Sequence, residues 1–372
     1  MAVAAKKGCR ELVTEVIESG LCTLCGACTG SCPYLTYYRG RITQLDNCSR
    51  TEEARCYDYC PRTYIDMDAI SRAIFGAPYT ESEIGNVKEV FIARATDQII
   101  KKKGQYGSTV TALLSLAMSE GFVNNAVLTK TSDDKTASPF LAQNLDDVLG
   151  CAGSSYMACP ILGKYNELPK ESDDKIAIVA TPCQVLSLAK MKAEPPVNRV
   201  RIDNVKLVIG LFCTWALSPD TFHRFLKENL DLAKVKKFDI PPPPANRFDA
   251  YTLKGITSFP LEQIRTFTMP TCAYCIDMTS EFADVSVGSV EGMEGWNTII
   301  VRTDAGTALV ELAKKKGTLE VDRLPSSNLE HLKEAALLKK KRALKEIIKR
   351  SGNKNDLLYL GLAPQISDKL LA

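Results

Sequence analysis

The chain has 372 residues, of which 45% are hydrophobic and 24% are charged, and this composition excludes a mainly disordered or fibrous protein. A chain of this length exceeds one ordinary hydrophobic core, so at least two domains are expected. The formal net charge of +3 is too small to indicate a nucleic-acid-binding protein. The feature that departs from an average composition is the presence of 14 cysteines.

The sequence shows no sign of export or of a membrane span. Residues 1–7 contain no apolar signal-peptide core. The longest apolar stretch, Leu207 to Leu217, is much shorter than the roughly 20 residues that a membrane helix needs. We therefore expect a cytoplasmic protein. Because the cytosol keeps thiols reduced, clustered cysteines in such a protein are more often metal ligands than disulfides.

Seven of the cysteines lie between residues 22 and 60. The first four follow the pattern C-x2-C-x2-C-x3-C-P, which is the spacing of bacterial ferredoxins that hold [4Fe–4S] clusters. These four are Cys22, Cys25, Cys28 and Cys32. A loop with two-residue gaps can wrap three thiolates around the iron corners of a cubane, and the fourth cysteine of such a run usually ligates another cluster. The pattern therefore predicts two clusters, with a structural zinc site as the alternative.

A second half-motif repeats the C-x3-C-P ending and suggests how the ligands are shared. It contains Cys48, Cys56 and Cys60. By the ligand exchange of two-cluster ferredoxins, the first cluster takes Cys22, Cys25, Cys28 and Cys60, and the second takes Cys32, Cys48 and Cys56.

The second of these clusters is one thiol short, because Thr51 stands near the position expected for a cysteine. Three solutions remain open. An oxygen ligand could come from Asp46, Glu52 or Glu53. Alternatively, Cys9 could fold back to the site, or the cluster could be of the [3Fe–4S] type.

Strand and helix patterns alternate from residue 87 onward. Strands are predicted at Val87–Ala95, Ala126–Thr129, Lys175–Ala180 and Val205–Phe212, and helices from Gly107 to Glu120 and after Thr181. This alternation predicts a mostly parallel sheet with packed helices. The fold class is thus α+β followed by α/β: a ferredoxin-like iron–sulfur domain (1–65), a linker (66–86), a larger α/β domain (87–325), and a C-terminal basic helix and tail (326–372).

Four further cysteines occupy positions that suit a third site. Cys183 and Cys213 each follow a predicted buried strand, where α/β folds place ligand sites. Cys272 and Cys275 form a close pair, which alone is equally typical of a redox dithiol or half a zinc site. Together the four could hold a third [4Fe–4S] cluster.

Two other features have an ordinary and a functional interpretation. Gly104 and Gly107 precede a predicted helix, whose N-terminus could hold a phosphate, although glycines there often only form a turn. The helical pattern from Asn328 to Arg350 contains eight lysines and arginines, which indicate either a solvated face or a docking surface for an acidic partner. Under the docking hypothesis, reversing the charges of Lys339, Lys340 and Lys341 should weaken assembly.

Taken in order, the motifs resemble those of the beta-subunit family of F420-reducing hydrogenases and F420-linked dehydrogenases. They are the cysteine run at 22–60, GSTVTALL at 107–114, SY at 155–156, TPCQ at 181–184, LFC at 211–213, CAYC at 272–275, ADVSVG at 283–288, GWNT at 295–298 and VRT at 301–303. Each motif is short, and it is their order that is specific.

The resemblance implies one FAD, a core [4Fe–4S] cluster beside it and, with this N-terminal extension, two more clusters. The core ligands would be Cys183, Cys213, Cys272 and Cys275, and the flavin would lie at Gly107, Ser108, Thr109, Thr111, Lys130, Ser155, Tyr156 and Thr181. It also implies hydride exchange between coenzyme F420 and FAD, and single-electron transfer to a partner redox subunit in a hetero-oligomer. Such a partner would be a hydrogenase, a formate dehydrogenase or a similar enzyme.

One segment departs from the family pattern. Residues 289–295 read SVEGMEG where family members often have a glycine-rich stretch, and Glu291 and Glu294 would repel the anionic tail of F420 if they faced it. Two alternatives therefore stay open: a FAD and iron–sulfur reductase of another organic substrate, or a flavin-free iron–sulfur adapter.

Overall fold

The computed structural model describes residues 7–48, 54–169, 173–194, 202–242 and 245–372. Within these ranges the chain forms strands of two to seven residues. They are β1 (Leu35–Tyr38), β2 (Arg41–Gln44), β3 (Ile65–Asp66), β4 (Glu89–Ala95), β5 (Asn125–Thr131), β6 (Ala137–Ala142), β7 (Ile176–Ala180), β8 (Val205–Leu211), β9 (Val235–Asp239), β10 (Arg247–Thr252), β11 (Gly255–Pro260), β12 (Val285–Ser289), β13 (Asn297–Val301), β14 (Leu319–Asp322) and β15 (Leu360–Gly361).

The helices of the described residues are mostly short, with one long exception near the C-terminus. They are α1 (Cys9–Leu12), α2 (Arg55–Asp58), α3 (Met67–Phe75), α4 (Gln98–Lys103), α5 (Thr109–Ser119), α6 (Leu145–Gly150), α7 (Ile161–Asn166), α8 (Pro182–Ala193), α9 (Pro219–Asn229), α10 (Leu261–Arg265), α11 (Asp304–Lys315), α12 (Ser326–Ser351) and α13 (Pro364–Leu371). A π-helical turn (Val13–Ile17) continues α1, and 3₁₀ turns lie at Ile202–Asn204, Leu232–Lys234 and Pro270–Tyr274.

Eight strands form one mixed sheet in the order β14-β4-β13-β12-β8-β7-β5-β6. The four central strands, β12, β8, β7 and β5, pair in parallel. The strands on either side are joined through antiparallel pairings. The prediction of a parallel sheet with packed helices is therefore confirmed at the centre. We call the side at which β5, β7, β8 and β12 end the carboxyl edge.

Both faces of this sheet are covered, because its strands alternate apolar side chains between two cores. Along β5, Ala126 and Leu128 belong to one core and Val127 to the other. Helices α5, α6 and α11 contribute to the first core, and α3, α8, α9 and α12 to the second. A sheet buried on both faces holds its strand ends firmly, and ligand sites of such folds lie at the carboxyl ends.

A smaller antiparallel sheet, in the order β11-β10-β9, lies outside the predicted elements. Its buried aromatic residues, Phe238 and Phe248, pack with Phe222 of α9 in the second core. This sheet matters for the site because β9 ends at Asp239, whose carboxylate reaches toward the carboxyl edge.

The N-terminal segment contains little regular structure, and its hairpin pairs β1 with β2. A core of its own surrounds the cysteines, with Leu12, Val16 and Leu35 at its centre. A short parallel pairing of β3 with β15 joins this segment to the C-terminal part of the chain. The ferredoxin-like fold of residues 1–65 and the domain bounds stay predictions.

Helix α12 confirms the helical pattern at 328–350 but corrects the prediction of its basic surface. Lys339 and Lys340 are only 4% and 0% exposed, because both side chains point into the protein. The Lys340 ammonium pairs with the buried carboxylate of Glu281, and both contact the Tyr79 hydroxyl. A docking surface that includes Lys339 and Lys340 is therefore wrong. None of the described helices is both long enough and apolar enough to cross a membrane.

Candidate iron–sulfur and flavin site

Two of the predicted ligands lie at the carboxyl edge because adjacent parallel strands end there. Cys183 is in the first turn of α8, directly behind β7, where the amide of Thr181 donates to Gln184 Oε1 (2.8 Å) and fixes the turn. Cys213 follows β8, and its amide donates to the carbonyl of Met278 (2.9 Å). Strand pairing thus places these two cysteines side by side although 30 residues separate them in the sequence.

The C-x2-C pair approaches Cys183 and Cys213 from a later segment of the chain. Cys272 lies in the 3₁₀ turn, where its sulfur accepts from the Ala216 amide at 3.4 Å, and Cys275 ends that turn. Cys183 and Cys275 line the same cavity, and the hydrogen bond from Ala216 places Cys272 beside the segment that follows Cys213. The thiols of Cys183, Cys213, Cys272 and Cys275 are thus brought together. We call these four thiols the core set.

Two buried cations face the core set. Lys339 Nζ donates to the carbonyls of Cys213 (2.6 Å) and Asp277 (2.7 Å). The Arg62 guanidinium donates to the Tyr359 hydroxyl (2.9 Å) and to Thr271 Oγ1 (3.0 Å). Burial alone would raise the pKa of the Cys275 thiol, but Lys339 and Arg62 bring that pKa below its ordinary value. Sequence patterns alone gave no signal for either cation.

A second set of thiols lies next to the core set. Cys22, Cys25, Cys28 and Cys60 line one cavity, and we call them the proximal set. Gly26 allows the loop to approach α7, since a Cβ on it would stand 2.5 Å from the carbonyl oxygen of Pro160. The buried Lys190 of α8 anchors the segment, because its Nζ donates to the Cys60 carbonyl at 2.9 Å.

The remaining three N-terminal cysteines gather with a fourth. Cys32, Cys48 and Cys56 pack in the N-terminal core with Cys9, and we call these four the outer set. Of the other candidate ligands, Asp46 is exposed, while Glu52 and Glu53 lie outside the described residues, as does Thr51. Cys151 and Cys159 belong to none of the three sets, and burial raises the pKa of both thiols.

The thiols of the three sets do not converge on the position of a single metal ion. Within the described part of the chain, no three or more Cys, His, Asp or Glu side chains are placed to bind a single metal ion. A cubane takes its thiolates at separate iron corners. The proximal cavity, lined by four thiols, fits that larger group better than a single zinc ion.

The residues predicted to contact the flavin lie along the same carboxyl edge. The hydroxyl of Thr109, at the start of α5, donates to Asn297 Oδ1 (2.9 Å) at the start of β13. Lys130 is near the end of β5, with its ammonium 4.2 Å from the centre of the Phe140 ring. Thr181 Oγ1 is 3.5 Å from Cys183 Sγ, which joins the predicted flavin residues to the core set.

Two of the predicted flavin residues have buried hydroxyls without a hydrogen-bond partner in the described part of the chain. Ser108 Oγ and Ser155 Oγ are buried and make no hydrogen bond among the described residues. Gly107 packs closely there, since a Cβ on it would stand 2.6 Å from the Ala93 carbonyl oxygen, and Thr111 is buried on α5. Orphaned buried hydroxyls are costly unless a ligand pairs with them, so this observation fits a polar cofactor.

Sequence reasoning missed the polar residues that hold this region together. Asp239 Oδ1 accepts from the hydroxyls of Tyr106 (2.9 Å) and Tyr156 (3.3 Å), so β9 is tied to the segment before α5. The loop behind β12 also reaches the carboxyl edge, and Glu291 and Glu294 on it are both exposed. Glu291 lies 3.5 Å from the Nδ1 atom of His331.

Two family models match most of the α/β part. Residues 90–164 match the N-terminal model of the coenzyme F420 hydrogenase/dehydrogenase beta subunit, and residues 173–327 match its C-terminal model. The two matches cover the strands and helices that form the carboxyl edge, from β4 to the turn before α12.

Several characterised proteins are similar to this chain. It is 31% identical over 273 residues to coenzyme F420 hydrogenase subunit beta of Methanothermobacter thermautotrophicus, a match that covers 72% of this chain and 96% of that protein. It is 29% identical over 354 residues to coenzyme F420-dependent sulfite reductase of Methanocaldococcus jannaschii, covering 92% of this chain and 52% of that protein. A chain of the F420-reducing [NiFe] hydrogenase complex from Methanosarcina barkeri superposes with a TM-score of 0.68 at 28% identity, covering 73% and 94% of the two chains.

Proposed function

The chain belongs to the coenzyme F420 hydrogenase/dehydrogenase beta subunit family, and we propose that it exchanges hydride with coenzyme F420 and passes single electrons to a partner redox enzyme. Its relatives named above are F420-dependent oxidoreductases, so this is its enzyme class. The proposed cofactors are one FAD and three [4Fe–4S] clusters, and the proposed assembly is a hetero-oligomer.

A single observation supports this function best: the three thiol sets lie in series, starting beside the predicted flavin residues. Thr181 and Cys183 join the flavin residues to the core set. The Thr271 hydroxyl, next to Cys272, donates to the carbonyl of Leu21, next to Cys22, at 2.6 Å, which joins the core and proximal sets. Proximal and outer thiols pack in the same N-terminal core, which joins these two sets. Such an order suits electron transfer along the chain of sites.

The chemistry follows from the cofactors, since F420 exchanges hydrides, clusters exchange single electrons, and a flavin does both. The protein orients and tunes these groups. We assign the unpaired hydroxyls of Ser108 and Ser155 to hydrogen bonds with the flavin. We assign Tyr156 to holding the neighbouring side of the site in place, through its hydrogen bond to Asp239. Lys339 and Arg62 offset the negative charge that four thiolates bring to the core set. The core cysteines are half-buried, which limits the access of water to them.

The test is a cofactor count combined with an electron-transfer assay on anaerobically purified full-length protein. We expect about one FAD and about twelve iron atoms per chain. Reduced F420 should then drive the reduction of a viologen dye. In the Cys213→Ala variant, dye reduction should fall by at least about 100-fold. Mutating a residue that only hydrogen-bonds to a metal ligand already lowers activity by about 10–100-fold, and Cys213 is itself a proposed ligand.

The matched control is Cys159→Ala, which removes a buried thiol outside all three sets and should keep both iron and activity. Iron without flavin would overturn the proposal in favour of a flavin-free adapter. FAD and iron without any reaction with F420 would instead indicate a reductase of another organic substrate.

A further inference from the structure

We propose that Cys9 is the fourth ligand of the second N-terminal site, so that the outer set holds a complete [4Fe–4S] cluster. The motif spacing supplies only three thiols for this site, and the fold brings the fourth from a helix that precedes the motif. The inference rests on the proposed function only in taking the thiol sets as iron–sulfur sites.

The first step in the argument is the position of Cys9. It is the first residue of α1, and its side chain is 2% exposed. Helix α1 packs directly against α2, which contains Cys56. Cys32, Cys48 and Cys56 pack in the same N-terminal core as Cys9, and the cavity lined by the proximal set contains none of these four. Four thiols from four separate points of the chain therefore gather around one place.

The second step is that Cys9 is held there by regular structure. The Gly8 amide donates to Glu11 Oε2 at 2.8 Å, which caps the start of α1. The apolar side chains of Leu12 and Val16, on the same helical stretch, are buried in the N-terminal core. Glu15, in the π-helical turn that continues α1, accepts from Tyr57 of α2 at 2.7 Å and pairs with Lys7 at 2.7 Å, so this turn and α2 are also joined at the surface.

The third step concerns the chemistry of the competing ligands. Asp46 is exposed, and its carboxylate accepts from the neighbouring Asn47 amide at 2.7 Å. A thiolate is the ligand that iron–sulfur clusters take by preference, and a buried fourth thiol makes an oxygen ligand or a three-iron cluster unnecessary. Binding releases the thiol proton and forms one iron–sulfur bond, with no change in the oxidation state of the sulfur.

A complete outer set extends the series of sites to the α1–α2 face. Cys28 and Cys56 pack in the same N-terminal core, so the outer cluster adjoins the proximal one. An electron that reaches the outer cluster is then beside a surface formed by short helices, where an acceptor protein can approach. The outer cluster would thus be the last site before the partner.

The decisive variant is Cys9→Ala in the full-length chain, with Cys159→Ala as the matched control. For the wild type we expect about twelve iron atoms per chain. Cys9→Ala should lose about four iron atoms, or about one if a three-iron cluster remains, with the isotropic EPR signal of oxidised [3Fe–4S]. Unchanged iron, sulfide and EPR spectra in Cys9→Ala would overturn the assignment.

A measurement on the wild type covers the case in which Cys9→Ala fails to fold. Mössbauer spectra of ⁵⁷Fe-loaded protein should show only tetrathiolate [4Fe–4S] clusters. A three-iron component or an oxygen-ligated iron would overturn the role of Cys9. The F420 assay distinguishes this failure from that of the proposed function: about twelve iron atoms without F420 activity would leave Cys9 in place and reject the F420 reaction.

Discussion

The core set and the two N-terminal sets bring thiols together in different ways. In the core set, Cys183 and Cys213 follow the ends of two paired strands, and Lys339 of α12 donates a hydrogen bond to the carbonyl of Cys213. In the proximal and outer sets, the cysteines lie on turns and short helices that flank a two-stranded hairpin, with a small core of their own. The sheet and helices hold the core set in place, whereas the structure of the two N-terminal sets depends on the clusters that they bind.

This difference predicts that iron removal affects the two regions unequally, and it is the largest effect that we expect. Without its clusters, the N-terminal segment retains few backbone hydrogen bonds and a small core, and metal binding to such sites is also folding free energy. Anaerobic chelation should raise amide exchange in α1 and α2 by at least about 100-fold. Strands β7 and β8 should stay protected, and equal loss of protection in both regions would contradict the comparison.

A second prediction concerns the scaffold itself. Replacing Lys340 by methionine leaves the buried Glu281 carboxylate without its cation, which should lower the free energy of unfolding by about 3–5 kcal/mol. Urea unfolding of the anaerobic protein measures this change. Lys345→Met, on the exposed face of the same helix, is the control and should change the free energy of unfolding by less than about 0.5 kcal/mol.

An unchanged unfolding midpoint for Lys340→Met would show that the buried pair does not support the scaffold. The same pair of variants separates folding from assembly. Because Lys340 lies in the core, its replacement acts on stability, whereas Lys345 and Lys349 remain on the exposed face where a partner could bind.

The sequence was sufficient for features that depend on local patterns. Apolar runs predict β7 and β8, and parallel pairing then places Cys183 and Cys213 together. It was insufficient where the outcome depends on which face of an element packs. Lys339, Lys340 and Lys341 of α12 follow one another directly, so their spacing does not show which of them are buried.

The same limit applies to Cys9 and to the wall beside the predicted flavin residues. Cys9 lies 13 residues before Cys22, and no spacing rule specifies a fold-back over that distance; α1 provides it through tertiary packing. Asp239 reaches Tyr106 and Tyr156 because β9 ends beside them, and no sequence pattern predicted the sheet that contains β9.

The smallest expected effect is on the reduction potential of the core cluster, and it tests whether the scaffold tunes the site as well as building it. Lys339→Gln removes a buried positive charge but keeps an N–H donor for the carbonyls of Cys213 and Asp277. The reduced cluster is the more negative form, so losing the cation should destabilise that form and lower the potential. A unit charge at contact distance and an effective dielectric of about 20 give a shift on the order of 100 mV.

EPR-monitored redox titration measures this shift, and only the potential of the core cluster should change, since Lys339 faces the core thiols. Lys345→Met, an exposed charge on the same helix, should leave all three potentials within about 10–20 mV because solvent and salt screen it. Equal potentials in Lys339→Gln and the wild type would mean that the buried ammonium supports the fold of this site without tuning its redox chemistry.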